Sequence, residues 1–288
     1  MKKLEFQLKQ MTFHNRDGSY GTQKGRRSSL AHIARQLHDL GFNQMNVHSL
    51  CRKHVDALLV LWRELDYSVS TTKNYMSHLR WWARKVGKEG VIPEDNQSLT
   101  IPSRNLIPRE SKAQYFDRTI LDSIPDERIR LSVELQQEFG LRKEECLKFR
   151  PSYADQGTFV RLKGSWTKGG RPREIPVVKE SQRSLLDRAF QVAGSGSMIP
   201  DEFSYAQWSK HYESVADKCG FKNLHGLRHG YAQRRYQSLV GWLAPFAGGP
   251  SRKALAPDRR IPDQVARLKV SQELGHNRIE ITDVYLGR

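Results

Sequence analysis

Residues 225–237 read "HGLRHGYAQRRYQ" and place His225, Arg228 and His229 within five positions, just ahead of a basic helical run. A buried helix start does not call for three polar groups that cost so much to desolvate. A site that grips a phosphate does, because a planar guanidinium offers two parallel N–H donors to two phosphate oxygens. His225 and Arg228 are one helical turn apart and so share a face. Other polar positions stand out for the same reason. Arg142 follows a helical pattern in "FGLRKEE", with Glu145 one turn on, and Lys168 sits in the glycine-rich stretch "TKGGRPREIP". His276 and Tyr285 lie nine positions apart in "ELGHNRIEITDVYLGR" near the end of the chain.

These groups need a scaffold, and the hydrophobic spacing predicts a mostly helical one. "SSLAHIARQLHDLG" offers Ser28 or Ser29 as a cap, Leu30, Ile33, Ala34, Leu37 and Leu40 as a stripe, and Gly41 as a stop. "LCRKHVDALLVLWREL" carries a second stripe through Leu58 and Trp62. "SVSTTKNYMSHLRWWARKVG" turns Tyr75, Leu79, Trp82 and Val86 inward and shows Lys73, Arg80, Arg84 and Lys85 on its other face. Trp81 beside them is either a stacking residue or a second core contact. From Lys88 to Lys112 the chain loses its period and holds Pro93, Pro102 and Pro108, which favour an extended connection. The division expected is a helical domain over 1–95, a linker over 96–112 and a second domain over 113–288. In that second domain "PDERIRLSVELQQEFG" predicts a helix ending at Gly140. "GTFVRLKG" and "PREIPVV" predict two short strands around the turn "SWTKGG". "ESQRSLLDRAFQVA" and "SYAQWSKHYESVADKCG" return to helix. The fold class expected is mainly α with a small β-hairpin, α+β.

The charge says what the scaffold serves. There are 48 Lys+Arg against 31 Asp+Glu, a formal net charge of +17. Residues 1–105 hold 17 of the cations and 9 of the acids, so both parts are basic, and an anionic partner, nucleic acid being the commonest, is expected to be held from two sides, with Lys73, Arg80, Arg84 and Lys85 read as a DNA-facing surface rather than a solvated helix face. Hydrophobic residues at 38% and charged residues at 27% fit a globular chain rather than a disordered one. Cys51, Cys146 and Cys219 are far apart, which points to a reducing compartment, the cytoplasm, and to neither disulfides nor a zinc site. No apolar run approaches the length of a membrane span, and no acidic cluster of metal-binding type is seen. No metal, no cofactor and no membrane are therefore expected.

Taken in order, the motifs resemble those of the phage-integrase family of tyrosine recombinases, whose signature is Arg, Lys, His-x-x-Arg, His and Tyr. "GLRKEE" is similar to the first arginine box, "TKGGRPREIPV" to the lysine hairpin, "HGLRHGYA" to the second arginine box and "LGHNRIEITDVY" to the segment bearing the nucleophile. The resemblance spans 113–288, and residues 1–87 look like the family's helical core-binding domain. It implies a site-specific recombinase that cuts and rejoins double-stranded DNA through a 3′-phosphotyrosyl intermediate, assembled as a tetramer, to integrate or excise a mobile element. Arg142 and Arg228 would neutralise the non-bridging oxygens and Tyr285 would attack phosphorus. Lys168 would protonate the leaving 5′ oxygen, with Lys163 on the same hairpin as the other candidate. His225 would share phosphate contact and proton transfer with the nucleophile, and His276 would donate to a non-bridging oxygen. Glu145 either orients Arg142 or is an exposed helix carboxylate, and His229 is read as structural. A type IB topoisomerase, a telomere resolvase and a non-catalytic DNA-binding protein of the same fold are the alternatives.

The chain departs from that pattern between Arg228 and His276. "GWLAPFAGGPSRKALAPDRRIPDQ", residues 241–264, is rich in Gly and Pro, basic, and reads as an inserted mobile loop, passive or else reaching DNA or a neighbouring subunit. Family members commonly continue past the tyrosine into a segment that docks on a neighbour, whereas three residues follow Tyr285 here.

Overall fold

The computed structural model describes residues 2–288, and the chain divides into two compact units, Met1–Asn105 and Leu106–Arg288. Each has its own apolar core.

The first unit is built from α1 (Lys3–His14), α2 (Tyr20–Asp39), α3 (Arg52–Glu64) and α4 (Val69–Lys85). Leu30, Ile33 and Leu37 of α2 meet Val55, Leu58 and Trp62 of α3 and Met76, Leu79 and Trp82 of α4 in one core. α1 completes it through Leu4 and Leu8, an i, i+4 row that the polar–apolar alternation at the chain start conceals. α2 begins well before Ser28: Ser19 caps it, its hydroxyl accepting from the Thr22 N–H at 3.2 Å. The added turns are polar and largely exposed, so no apolar stripe announces them. The expected linker also shortens. Ile92, Leu99 and Ile101 are buried in the first core, and Arg104 donates to the Ser70 carbonyl and the Asn74 side chain. The prolines do break regular structure there, but three apolar side chains spaced along an irregular segment anchor it without any period.

The second unit holds α5 (Arg118–Asp122), α6 (Glu127–Phe139), α7 (Lys143–Leu147), α8 (Pro151–Ala154), β1 (Phe159–Leu162), β2 (Arg173–Pro176), α9 (Glu180–Ala193), α10 (Tyr205–Lys218), α11 (Gly226–Val240), α12 (Pro257–Glu273) and α13 (Asp283–Leu286). The architecture is mainly helical with one two-stranded antiparallel sheet among the described residues, as expected. β1 and β2 pair Val160 with Ile175 and Leu162 with Arg173, and all four face inward. Buried α6 and α11 form the centre, with Leu131, Leu135, Phe139, Leu227 and Ala232 in the same cluster.

The segment 241–264 is not a mobile loop. Residues 257–264 are the first turns of α12, opened by Pro257 at the position where a missing N–H costs nothing. The stretch before it is pinned by buried Ala244 and Leu255, by a Trp242 indole N–H donating to Tyr236 Oη at 3.1 Å, and by Arg252 paired with buried Asp263. Gly241 and Gly248 turn the chain at φ +84° and +91°, and a Cβ on Gly249 would come within 1.8 Å of the Leu243 carbonyl oxygen.

Candidate active site

The site starts where α6 stops. Gly140 has φ +61°, and a Cβ at that position would come within 2.5 Å of Tyr231 Cδ1 on α11. Glycine alone permits both the left-handed cap and the close approach of α11. Two residues later Arg142 caps α7. Its backbone N–H donates to Glu145 Oε2 at 2.7 Å and its Nη1 donates to Oε1 at 2.8 Å, while Nη2 reaches the Leu274 carbonyl at 3.2 Å. Glu145 is fully buried, which removes the reading of an exposed helix carboxylate. Burial pushes its carboxyl up, but the hydrogen bonds and charge of Arg173, then the charges of Arg228 and Arg142, prevail and hold it at about 2.

α11 brings His225 at its cap and Arg228 one turn in. Arg228 has no exposed surface. It donates to the carbonyls of Gly140 and Leu274, and its Nε points at Tyr285 Oη, 3.4 Å away. Burial, reinforced by Arg142 and Arg173, lowers its pKa to about 10, so it stays charged at neutral pH. Leu274 follows the last residue of α12, and the negative end of that helix is what the two guanidinium groups share. Gly230 lets the segment around Gln114 cross α11 closely: a Cβ would lie 2.3 Å from the Gln114 carbonyl oxygen.

His276 follows α12 and sits with Nε2 3.4 Å from Arg142 Nη2 and 3.5 Å from Tyr285 Oη. Burial, then Arg228, Arg142 and Arg173, lower its pKa to about 4, leaving a neutral imidazole beside the phenol at neutral pH. Tyr285 itself is 6% exposed. Its helix α13 is held by Gln233, which donates to the Tyr285 carbonyl at 3.0 Å, and by fully buried Arg267, which bridges Asp283 at 3.1 Å and Asp263 at 2.9 Å.

Arg142, Glu145, Arg228, His276 and Tyr285, from four stretches of chain, thus meet at one place. His225 borders it, exposed, with its ring centroid 6.5 Å from that of Tyr285 and no hydrogen bond to the phenol among the described residues. Loss of water and the charges of Arg228 and Arg142 lower its pKa. His229 is buried and its ring lies 4.6 Å from the Tyr285 ring, forming a wall behind it, and burial lowers its pKa to about 4. Lys168 does not join the group. It is exposed in the connection 163–172, with no hydrogen bond or ion pair among the described residues, and Lys163 is exposed as well. The connection is longer than a tight turn because Trp166 folds back into the core beneath it.

One residue of the site is absent from the sequence reading. Arg173 opens β2 and sends Nη1 and Nη2 to Glu145 Oε1 and Oε2 at 2.8 and 2.6 Å. Its signal was available: in "REIP" strand alternation puts Arg173 on the same face as Ile175, and an inward arginine demands a buried carboxylate.

Among the cations of α4 expected to face DNA, Arg80 is committed to the chain itself. It donates to the Pro93 and Asp95 carbonyls and the Asn96 side chain at 2.9 to 3.2 Å, because residues 93–96 fold back over the helix. Lys85 pairs with Asp17 at 3.0 Å. Lys73 and Arg84 hold no hydrogen bond or ion pair among the described residues. Trp81 is a core residue, 6% exposed, donating to Asp17 at 2.9 Å under the Arg26 guanidinium.

Residues 1–92 match the family model described as phage integrase, N-terminal, and residues 103–234 match the one described as integrase, which ends before His276 and Tyr285. Three solved structures share the fold. A lambda integrase (75–356) dimer bound to a COC′ core site has TM-score 0.63 at 17% identity, covering 99% of this chain and 96% of that one. The Tn1549 transposon integrase in complex with circular intermediate DNA has TM-score 0.58 at 14% identity, covering 100% and 96%. XerH site-specific recombinase bound to difH substrate, a pre-cleavage complex, has TM-score 0.58 at 15% identity, covering 98% and 80%. No curated protein sequence matches.

Proposed function

The chain belongs to the phage-integrase family of tyrosine recombinases, and from that premise we propose that it is a site-specific DNA recombinase whose nucleophile is Tyr285. The observation that carries this is the phenol oxygen, 3.4 Å from Arg228 Nε and 3.5 Å from His276 Nε2, beside a second guanidinium on the same Leu274 carbonyl. Tyr285 Oη attacks the phosphorus, the bond to the 5′ oxygen breaks, and a 3′-phosphotyrosine keeps the bond for rejoining. Arg142 and Arg228 take the non-bridging oxygens, whose charge grows in the five-coordinate state. The proton transfer expected of His225 passes to His276, whose neutral imidazole lies 3.5 Å from the phenol oxygen, and His225 keeps only its grip on the phosphate from the solvent side. Lys168, carried inward by its connection when DNA binds, gives its proton to the departing 5′ oxygen.

DNA lies against both basic units, with Lys73 and Arg84 among the contacts in the first. The lambda integrase tetramer on a Holliday junction supports a four-subunit assembly for this chain too. The Tn1549 integrase supports a mobile element as the DNA moved. Three free thiols agree with work in the cytoplasm.

The test uses duplexes selected by the protein from a random pool, nicked so that the fragment beyond the cut diffuses away. The wild-type chain should leave a protein–DNA band on a denaturing gel. Tyr285→Phe should bind the same duplexes and leave none, since only the attacking oxygen is lost. A full band from Tyr285→Phe sinks the assignment.

A further inference from the structure

The hairpin carries a buried arginine that the chemistry above does not use. The Arg173 side chain is 5% exposed. Its Nη1 and Nη2 take the two oxygens of Glu145 at 2.8 and 2.6 Å, and its Nε donates to the Glu273 carbonyl at 2.9 Å. The other donors to Glu145 are the backbone N–H and Nη1 of Arg142. One buried carboxylate is therefore shared by two guanidinium groups, one rooted in β2 and one opening onto Leu274 and His276. A planar fork on both oxygens fixes the plane of the carboxylate, and so the direction in which Arg142 can spend its remaining N–H groups.

We infer that Arg173 is a positioning residue for strand cleavage: by clamping Glu145 it aims Arg142 at the phosphate and ties the strand that follows Lys168 to the same carboxylate. The inference rests on the recombinase reading. The charges agree with it. Arg142, Arg173 and Arg228 face one carboxylate, which leaves two positive charges. A phosphodiester brings one negative charge and its five-coordinate state a second. Without Arg173 the carboxylate would turn on Arg142 alone, in the geometry of an ordinary ion pair rather than an aimed one.

A purely structural role would not alter the pH profile, and this role does. The groups facing Glu145 are Arg142, Arg173, Arg228, His225, His276 and the neighbouring Cys146 thiol. The two histidines are lowered and the thiol raised, so the arginines alone hold the carboxyl down. Burial of Glu145 persists when Arg173 is removed, while its largest opponent goes. The carboxyl then rises, and cleavage is lost as pH falls through its new value.

Arg173→Met and Arg173→Lys in the full chain are compared with wild type for single-turnover adduct formation on the nicked duplex, from about pH 5 to about pH 9, alongside DNA affinity and melting temperature. Arg173→Met should cleave about 100-fold more slowly at neutral pH, the scale of a small misplacement of a reacting group, with DNA affinity within about threefold. Its rate should fall further toward acid, along a limb that wild type lacks and that adding Glu145→Gln removes. Arg173→Lys should recover part of the rate and show a weaker limb. An active wild type with Arg173→Met within about threefold of its rate, or with a loss equal at every pH, overturns the inference alone. If Arg173→Met does not fold, Arg173→Lys decides, and full rate without a limb overturns it. A wild-type chain that forms no adduct overturns the recombinase reading and this inference with it.

Discussion

Lys168 stands apart from the other proposed groups, exposed on its connection while the arginines, His276 and Tyr285 are already assembled. The proposed general acid would have to arrive with the substrate, and the leaving group tests that role. Lys168→Ala should cut an ordinary duplex at least about 100-fold more slowly, yet cut one with a 5′-thiolate leaving group at nearly the wild-type rate, since sulfur departs without a proton. Rescue seen with Lys163→Ala instead would move the role to the strand end. His229 makes a different prediction, about stability. Its pKa is lowered to about 4 by burial, with His225, Lys112 and Arg228 adding to the effect, against an unfolded value of 6.5. Between those values the unfolded chain binds a proton that the folded chain refuses, so stability falls as pH is lowered through this window. The contribution is on the order of 1–3 kcal/mol. Thermal melts at about pH 7 and about pH 4.5 should show a smaller acid loss for His229→Leu than for wild type. Equal losses would mean that His229 titrates normally.

At the scale of elements, the stretch between α11 and α12 supports the helix that carries Tyr285, the proposed nucleophile. Phe246 packs on Gly287, where a Cβ would meet its ring at 3.0 Å, and Arg252 reaches the Asp263 carboxylate that Tyr236 and Arg267 also hold. Arg267 continues to Asp283 on α13, so the stretch, α12 and the Tyr285 helix form one polar chain, buried from Asp263 to Asp283. Replacing residues 245–253 with a short Gly-Ser turn should therefore lower the melting temperature and slow adduct formation itself, by about tenfold or more. Unchanged single-site cleavage with weakened assembly would assign the stretch to a neighbouring subunit.

For the whole molecule, the charge is divided almost evenly between two units with separate cores. Each should fold alone when the chain is cut after Asn105. Each should bind DNA weakly and with a shallower salt dependence than the full chain, because each neutralises fewer phosphates, at roughly 0.9 in slope per phosphate. Joined, the second unit binds at high effective concentration and affinity rises sharply. A fragment that keeps the whole salt slope would show that the other does not touch DNA.

Much of this protein was legible locally. Helix stripes such as Leu30, Ile33 and Leu37 declare their inward face through spacing alone. The strand alternation of the hairpin does the same, and the order of Arg142, Lys168, His225, Arg228, His276 and Tyr285 resembles the family signature on which the proposed chemistry rests. What tertiary structure decided were the pairings between distant positions. Arg142 and Arg228 share the carbonyl of Leu274, which lies 132 and 46 positions away, and Arg173 finds Glu145 28 positions back. Arg80 reads from its helix face as a cation open to DNA, but residues 93–96 fold over it. Periodicity reports which side of an element faces the core. It carries no information on which carbonyl or carboxylate waits there, and that choice brings Arg142 and Arg228 to one carbonyl beside the C-terminal end of α12 while it ties Arg80 to residues 93–96.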